Sequence, residues 1–255
     1  MAKLIFLGTS ASIPTKKRDN TSFVFSYRQN KFLIDCPGSI YQKLLKADLG
    51  WQGLDKVIIT HHHPDHIYGV ISLLHCRFLL DKSPLYIFSN QTCIKLIKKT
   101  AKLFSLVKRD RPALHYIDVF SKSFFYKTKE VKMKAVRNRH IKDSFGIYIK
   151  LPRKNLFYSS DTSFIPSVIK KLMPLDYLIH DCTASSYYFN SHPSLYNMHT
   201  SSLQLKNFLE KEKKTKLIPL HFLLLEKGEM KKIKKELESV EKKVIYPEDF
   251  SRLKV

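Results

Sequence analysis

The chain has 255 residues, a formal net charge of +23, and 44% hydrophobic and 26% charged residues. These proportions are typical of a globular protein and exclude a disordered, collagen-like or coiled-coil chain. No apolar run approaches the roughly 18 residues of a membrane span, and the N-terminus lacks a charged lead before a long apolar core. We therefore expect a cytoplasmic protein without a membrane partner.

Short apolar runs alternate with amphipathic stretches along the chain, which predicts a mixed α and β protein. Strands are predicted at residues 3–7, 22–27, 31–35, 56–60, 85–88, 114–119, 131–136, 145–151, 155–159, 176–180, 216–220 and 243–246. Helices are predicted at residues 39–48, 67–80, 91–104, 164–173, 200–213 and 228–241. Strands dominate early in each half, so we expect two mixed sheets packed face to face with helices outside. This is a four-layer αββα sandwich of the α+β class, formed as a single domain over residues 1–255.

Cysteine spacing and charge bear on the redox state and the partners. The four cysteines are far apart and form no CxxC pair, which indicates reduced thiols rather than a disulfide framework or a zinc knuckle.

Residues 81–160 hold 14 Lys and 5 Arg against 5 acidic residues, and a field of that sign attracts phosphates. The excess fits a polyanionic partner and equally a genome-wide bias toward lysine, and the sequence leaves both interpretations open.

Residues 60–66 carry the pattern H-x-H-x-D-H directly after an apolar strand. Its chance expectation in a chain of this composition is roughly one in a thousand. Neutral imidazole binds Zn²⁺ or Mn²⁺, and carboxylate suits harder cations. His61 and His63 point the same way in an extended loop. The bend that follows aims Asp65 and His66 at a second point, so one loop can begin two metal sites.

Further ligands are expected where other strands end. Three residues each follow a predicted strand, namely His140, Asp161 and His221. The two oxygens of a carboxylate can bridge two ions, which suits Asp161. Each residue alone is a weak signal, but together with the loop they complete two coordination spheres at the carboxyl ends of strands.

Additional motifs lie along most of the chain. Residues 6–14, Arg18 and residues 20–22 form the opening group. The later matches are Asp35, His140 with residues 144–146, residues 160–162, residues 180–183, residues 198–201 and residues 220–222. Together these motifs resemble the metallo-β-lactamase superfamily, and within it the phosphodiesterase branch that includes RNase Z and the PhnP-type cyclic phosphodiesterases. The resemblance implies the αββα fold and covers nearly the whole chain.

The resemblance implies a centre of two divalent metal ions, Zn²⁺ or Mn²⁺. The first ion would take His61, His63, His140 and Asp161. The second would take Asp65, His66, Asp161 and His221. A hydroxide between the ions would attack phosphorus, oriented by Asp65. Asp35 would support residues 60–66, here called the metal loop, from the side away from the ions.

The resemblance also implies a general acid. His199, held by Asp181, would protonate the leaving oxygen. The alternative for His199 is a polar residue at a helix N-terminus beside Thr200 and Ser201, which are good helix caps.

Two departures from RNase Z bear on the substrate. Only residues 147–160 separate the match at residues 144–146 from the match at residues 160–162, where RNase Z carries a long arm that grips tRNA. The Gly-Glu-Gly-Thr that usually follows the aspartate matched by Asp35 is also missing, as is the Cys-rich zinc insertion of the PhnP type. The motifs therefore predict a hydrolase domain without either accessory element.

We expect a metal-dependent hydrolase for cyclic or linear phosphodiesters of nucleotide type, such as a small cyclic nucleotide. One alternative is an RNase Z-type endoribonuclease for tRNA 3′ ends, with surface charge in place of the arm; its activity would depend steeply on salt. A second is a non-catalytic RNA-binding module on a hydrolase fold, which need hold no metal. The resemblance also suggests a homodimer, since members of this branch commonly dimerise, and no residue pattern decides it.

Overall fold

Thirteen β-strands and eight α-helices form the part of the chain that the structure describes. The structure is a computed structural model and describes residues 1–50, 53–80, 83–107 and 113–255. The strands are β1 (Lys3–Gly8), β2 (Ser22–Tyr27), β3 (Asn30–Ile34), β4 (Lys56–Ile59), β5 (Leu85–Ser89), β6 (Leu114–Asp118), β7 (Tyr126–Lys127), β8 (Lys132–Arg137), β9 (Phe145–Lys150), β10 (Asn155–Tyr158), β11 (Tyr177–Asp181), β12 (Lys216–Leu220) and β13 (Arg252–Lys254). The helices are α1 (Ile40–Lys46), α2 (Pro64–Ile67), α3 (Val70–Leu80), α4 (Gln91–Leu103), α5 (Pro166–Lys171), α6 (Ser186–Ser191), α7 (Ser202–Leu209) and α8 (Glu229–Glu236), with 3₁₀ turns at Pro193–Asn197 and Glu238–Lys243.

The strands form two mixed sheets, of seven and six strands within the described ranges. The first sheet has the order β13-β1-β2-β3-β4-β5-β6 and is antiparallel up to β3 and parallel beyond it. The second has the order β12-β11-β10-β9-β8-β7 and is parallel up to β10 and antiparallel beyond it. Helices α1, α3 and α4 cover the first sheet, and α5, α7 and α8 cover the second. The predicted αββα sandwich is confirmed.

Alternating side chains of the strands divide the apolar residues between an inner layer and two outer layers. In β2, Phe23 and Phe25 lie in the core between the sheets, whereas Val24 lies in the core beneath the helices. In β10, Tyr158 faces the inner core and Phe157 faces the outer one. A strand that is covered on both faces therefore needs an unbroken apolar run, because successive side chains point to opposite faces. Each buried side chain of this size contributes roughly 1.5–3 kcal/mol.

The helices that cover the sheets bury one apolar stripe each. In α4, Cys93, Ile97 and Ala101 recur every fourth residue and are buried. Such a spacing places side chains on one face of a helix. The helix begins at Asn90, whose side chain accepts a hydrogen bond from the Cys93 N–H at 2.8 Å. Among the described residues, no helix combines the length and the apolar content needed to span a membrane.

The strand predicted at 243–246 is wrong. Val244 makes a single isolated bridge to Leu217, and the Ile245 N–H donates to the Leu217 carbonyl at 2.8 Å. The next residue on this edge of β12 is Pro219, which has no N–H with which to continue the ladder. The pairing therefore stops after one bridge.

Several helices are shorter than predicted, and three regions were missed: the short strands β7 and β13, and the region of α6. The helix predicted at 200–213 spans only α7, and the one predicted at 228–241 is α8 followed by a 3₁₀ turn. Helix α6 and the 3₁₀ turn after it were not predicted, because six aromatic and polar residues are too few to show a helical period.

The link between β9 and β10 is a bare turn. Residues 151–154 join the two strands, and the Leu151 N–H donates to the Lys154 carbonyl at 2.8 Å. This agrees with the short spacing seen in the sequence, and residues 151–154 therefore form no arm.

Candidate metal centre

The residues singled out by the sequence converge at the carboxyl ends of strands from both sheets. His61 follows β4, Asp161 follows β10 and His221 follows β12. Left-handed backbone accompanies these turns, with φ of 53° at Ser160 and 65° at His221. A non-glycine residue rarely adopts this conformation, and such positions concentrate at functional sites.

Three imidazole nitrogens form the first donor group. His63 Nδ1 lies 3.2 Å from His61 Nε2 and 3.0 Å from His140 Nε2. The remaining nitrogens of two of these rings face oxygen atoms. His61 Nδ1 lies 3.1 Å from Thr60 Oγ1, and His140 Nδ1 lies 3.1 Å from the Met198 carbonyl. Because a carbonyl can only accept a hydrogen bond, the His140 Nδ1 carries the proton and its Nε2 is free to bind a cation.

Two carboxylates and two imidazoles form the second donor group. His66 Nε2 lies 3.4 Å from Asp65 Oδ2 and 3.3 Å from Asp161 Oδ2. His221 Nε2 lies 3.0 Å from Asp161 Oδ2 and 3.8 Å from Asp65 Oδ2. The four ligand atoms lie within 4.8 Å of one another.

Asp161 connects the two groups. Its Oδ2 atom also lies 3.8 Å from the Nε2 atoms of both His61 and His140. The sequence suggested that the two oxygens of Asp161 serve one ion each, whereas in the structure Oδ2 faces both groups. Its Oδ1 atom is buried and has no hydrogen-bond partner among the described residues.

The metal loop is supported by Asp35, as the resemblance implied. The Asp35 Oδ1 atom accepts hydrogen bonds from the Thr60 N–H and hydroxyl, both at 2.9 Å. Its Oδ2 atom lies 2.9 Å from His66 Nδ1 and accepts from the Tyr158 hydroxyl at 3.2 Å. Asp35 therefore holds His66 directly and reaches His61 through the Thr60 hydroxyl.

The predicted acid lies beside both groups. His199 Nδ1 lies 2.9 Å from Asp181 Oδ2, and the His199 ring is 4.9 Å from the His140 ring and 5.2 Å from the His221 ring. The side chain of His199 is 14% exposed, whereas that of Asp181 is fully buried. The helix that follows is capped by Ser201, in a capping box with Gln204. His199 is therefore not the cap of α7, and its ring is free to serve the site.

Burial and charge set the protonation of the site. Burial lowers the pKa of His61, His63 and His140, to about 4 for His140. Burial acts in the same direction on His66 and His221, but the neighbouring carboxylates together outweigh it and raise their pKa, to about 10 for His221. These are Asp161 for both rings, with Asp35 at His66 and Asp65 at His221. The first group is therefore neutral, as ligands must be, and a cation at the second would displace protons.

The donor set fits divalent cations. His66 Nε2 and His221 Nε2 are buried and make no hydrogen bond within the described ranges. Imidazole nitrogens and carboxylate oxygens, in residues whose other polar atoms are held by hydrogen bonds, are the ligands that Zn²⁺ and Mn²⁺ prefer. The structure thus brings together all seven residues predicted as metal ligands, along with Asp181 and His199.

Sequence reasoning did not find the hydroxyl groups that orient the histidines. The Thr60 and Thr183 hydroxyls contact His61 and His221, and the Tyr158 hydroxyl acts through Asp35. Thr60 and Thr183 lie within the matches at residues 60–66 and 180–183, which is the one signal that could have singled them out. Tyr158 lies in an ordinary apolar strand and carries no such signal.

Comparisons with known proteins agree with this fold. The human tRNase Z short form superposes with a TM-score of 0.80 at 22% identity, covering 99% of each chain. YhfI from Bacillus subtilis, a metallo-beta-lactamase fold protein, superposes with a TM-score of 0.82 at 19% identity over the whole of both chains. Ribonuclease Z of Methanosarcina mazei is 23% identical over 228 residues, which cover 71% of this chain and 75% of that protein.

A shorter match has higher identity. Ribonuclease Z of Methanocaldococcus jannaschii is 33% identical over 129 residues, which are 50% of this chain and 38% of that protein. The aligned part thus spans well under half of that relative.

These likenesses confirm the phosphodiesterase branch of the metallo-β-lactamase superfamily. Within it, the chain belongs to the family of the anti-Pycsar protein Apyc1, whose family model matches residues 2–246.

Proposed function

We propose that this chain is a dinuclear phosphodiesterase that hydrolyses small cyclic or linear phosphodiesters of nucleotide type. The observation that carries the proposal is the convergence of both donor groups on the Asp161 Oδ2 atom, with the His199–Asp181 pair beside them. We further propose that residues 1–255 form one hydrolase domain without an RNA-gripping arm.

The two donor groups would hold two divalent ions, Zn²⁺ or Mn²⁺. The first ion would be held by His61, His63, His140 and Asp161, and the second by Asp65, His66, Asp161 and His221. Divalent cations at such a site neutralise charge on phosphoryl oxygens and lower the pKa of water. The protein holds these ligands in place before substrate arrives, since Asp35 and the Met198 carbonyl fix rings from behind.

His199 is the group that would supply a proton to the leaving oxygen. Its Nδ1 atom is 2.9 Å from the buried Asp181 carboxylate, which only accepts hydrogen bonds when ionised. Nε2 is then the nitrogen that can hold or release a proton toward substrate. Asp65, which is less buried than Asp161, is placed to orient the attacking water.

The small size of the substrate is supported by the bare β9–β10 turn, since a long arm at this point would be needed to grip a folded RNA. The second candidate, an endoribonuclease acting on tRNA 3′ ends, is favoured by the relatives named ribonuclease Z and by the net charge of +23. The non-catalytic binding module is disfavoured, because such a module has no need of a complete ligand set.

We propose that the protein forms a homodimer. Two large apolar side chains are exposed near the metal loop, with Tyr68 76% and Phe104 65% exposed. Both line an apolar groove of about 600 Å³, together with residues of α3 and α4. An apolar face of this kind marks an interaction site. Sedimentation equilibrium should give a dimer, and Phe104→Asp should shift it toward monomer; a monomeric wild-type protein would refute this part.

The test of the proposed function compares two substrates on one protein. Protein loaded with Mn²⁺ or Zn²⁺ is given a 2′,3′-cyclic nucleotide in one reaction and a tRNA precursor with a 3′ trailer in another, at low and high salt. We expect rapid opening of the cyclic ester, weak salt dependence and an intact precursor.

Two variants tie the activity to the site. Asp65→Ala should abolish turnover, whereas His62→Ala should retain it, because His62 stands in the same loop but belongs to neither donor group. Salt-sensitive cleavage of the precursor without opening of the cyclic ester would favour the endoribonuclease. Full activity of Asp65→Ala would overturn the two-metal mechanism.

A further inference from the structure

Thr183 lies where three segments of the candidate site meet. It is 1% exposed, its N–H donates to the Thr200 carbonyl at 3.0 Å, and its carbonyl accepts from the Leu223 N–H at 2.7 Å. The first contact fixes the segment that carries His199, and the second fixes the segment that carries His221. A displacement of Thr183 would therefore move both histidines.

The side chain of Thr183 bridges Asp181 and His221. Its hydroxyl donates to Asp181 Oδ1 at 2.7 Å and lies 3.2 Å from His221 Nδ1. A hydroxyl has one hydrogen, and a carboxylate can only accept it. The hydroxyl therefore accepts from the His221 Nδ1–H, which leaves His221 Nε2 facing Asp161.

The other carboxylate oxygen of Asp181 serves His199. Asp181 Oδ2 accepts from the Thr162 N–H at 3.1 Å and lies 2.9 Å from His199 Nδ1. One buried carboxylate thus holds a proposed metal ligand through Thr183 and the proposed acid directly. The rings of His199 and His221 stack at 5.2 Å with an interplanar angle of 15°.

The same arrangement occurs on the other sheet. Asp35 holds His66 directly and reaches His61 through the Thr60 hydroxyl, which lies 2.9 Å from Asp35 Oδ1 and 3.1 Å from His61 Nδ1. Each sheet therefore places one buried aspartate and one threonine behind two histidines. The repeated geometry indicates that the threonine hydroxyl has the same task in both places.

We propose that Thr183 is a positioning residue whose hydroxyl links the Asp181 carboxylate to the His221 ring through one hydrogen bond to each. It fixes the ring nitrogen that His221 presents to the metal site and sets the separation between His221 and His199. The inference rests on the proposed function and goes beyond it by making the metal ligand and the acid depend on one hydroxyl group.

A matched pair of variants isolates this hydroxyl. Thr183→Ser keeps the oxygen, and Thr183→Ala differs from the serine variant only by its loss. Thr183→Val restores the lost volume without the oxygen. Zn²⁺ affinity is measured by competition with a chromophoric chelator, and the His221 Nδ1–H signal is recorded by ¹⁵N-edited NMR in metal-free and Zn²⁺-loaded protein.

We expect Zn²⁺ affinity to fall by about 10–100 fold in Thr183→Ala and Thr183→Val and to stay within about threefold of wild type in Thr183→Ser, since outer hydrogen bonds to ligands have effects of this size. A slowly exchanging His221 Nδ1–H should be present in wild type and Thr183→Ser and absent from the other two variants.

Each remaining outcome decides a different point. Equal Zn²⁺ affinity and equal Nδ1–H signals in the serine and alanine variants would overturn the role of Thr183. If the variants without the hydroxyl fail to fold, the wild-type spectrum decides by itself, because a His221 Nδ1 without a proton would overturn the role of Thr183. If wild-type protein binds no metal, the proposed function fails, whereas the exchange rate of the His221 Nδ1–H in the metal-free variants still decides the role of Thr183.

Discussion

Asp35→Asn is the substitution that tests the support of the metal loop most directly. Asp35 is fully buried and has a φ of 56°. Asparagine adopts left-handed backbone as readily as aspartate and has the same shape. The substitution therefore removes the charge and one acceptor without adding backbone strain.

The size of the effect follows from the four donors around the carboxylate. Oδ1 accepts two hydrogen bonds from Thr60, and Oδ2 faces the His66 ring and the Tyr158 hydroxyl. Asparagine has one acceptor oxygen, so its NH₂ group must oppose two donors. Two lost hydrogen bonds to a charged group, at about 1.5–3 kcal/mol each, give a destabilisation of about 3–6 kcal/mol. This is a large part of the 5–15 kcal/mol that typically stabilises a domain.

Urea unfolding followed by circular dichroism measures this difference, with EDTA present so that metal binding does not contribute. Tyr158→Phe is the companion variant, because it removes one of the four donors and leaves the carboxylate intact. Its expected destabilisation is about 1–2 kcal/mol. A free energy of unfolding for Asp35→Asn within about 1 kcal/mol of wild type would refute the reasoning.

His199→Ala should slow hydrolysis of an alkyl phosphodiester by about 10²–10⁴ fold and of a nitrophenyl ester much less, because nitrophenolate leaves without a proton; equal losses would count against the general acid. A thiol reagent at neutral pH should modify the native protein only at the half-buried Cys76, and rapid reaction of a second thiol would contradict this. The reason is that burial raises the pKa of three thiols and so suppresses the reactive thiolate, in Cys36, Cys93 (to about 11) and Cys182. Gly69→Ala places a Cβ 1.9 Å from the Pro37 carbonyl oxygen and should destabilise the fold by at least about 1–3 kcal/mol. Gly38→Ala meets nothing within 4 Å and should be nearly neutral, so equal urea midpoints for the two glycine variants would contradict this reading.

The layers of the fold were predictable because the spacing of the apolar residues distinguishes strands from helices. β2 alternates between two cores, and its bounds at residues 22–27 match the prediction. The failure at 243–246 has a cause outside that segment, since the missing donor belongs to Pro219 on another strand. A local pattern does not report the pairing capacity of its neighbour.

The candidate ligands were predictable from an uncommon motif and from strand ends. The pattern in residues 60–66 is specific, and His140, Asp161 and His221 gain weight only in combination with it. The threonine hydroxyls were missed because threonine is common and its task depends on which carboxylate the sheet packing brings near. No spacing in the sequence predicts that the Thr183 hydroxyl contacts both Asp181 and His221, since Thr183 lies 38 residues from His221.

The donor atoms come from opposite sides of the sandwich. His61, His63, Asp65 and His66 follow β4 of the first sheet, whereas His140, Asp161 and His221 belong to connections of the second. Occupied by cations, the centre would cross-link the two sheets, and the binding free energy would oppose their separation. Backbone amides deep in the inner layer, such as those of β9 and β11, would then exchange with deuterium more slowly than in chelated protein. Metal binding would therefore slow amide exchange across the whole interior of the molecule, well beyond the residues that touch the ions.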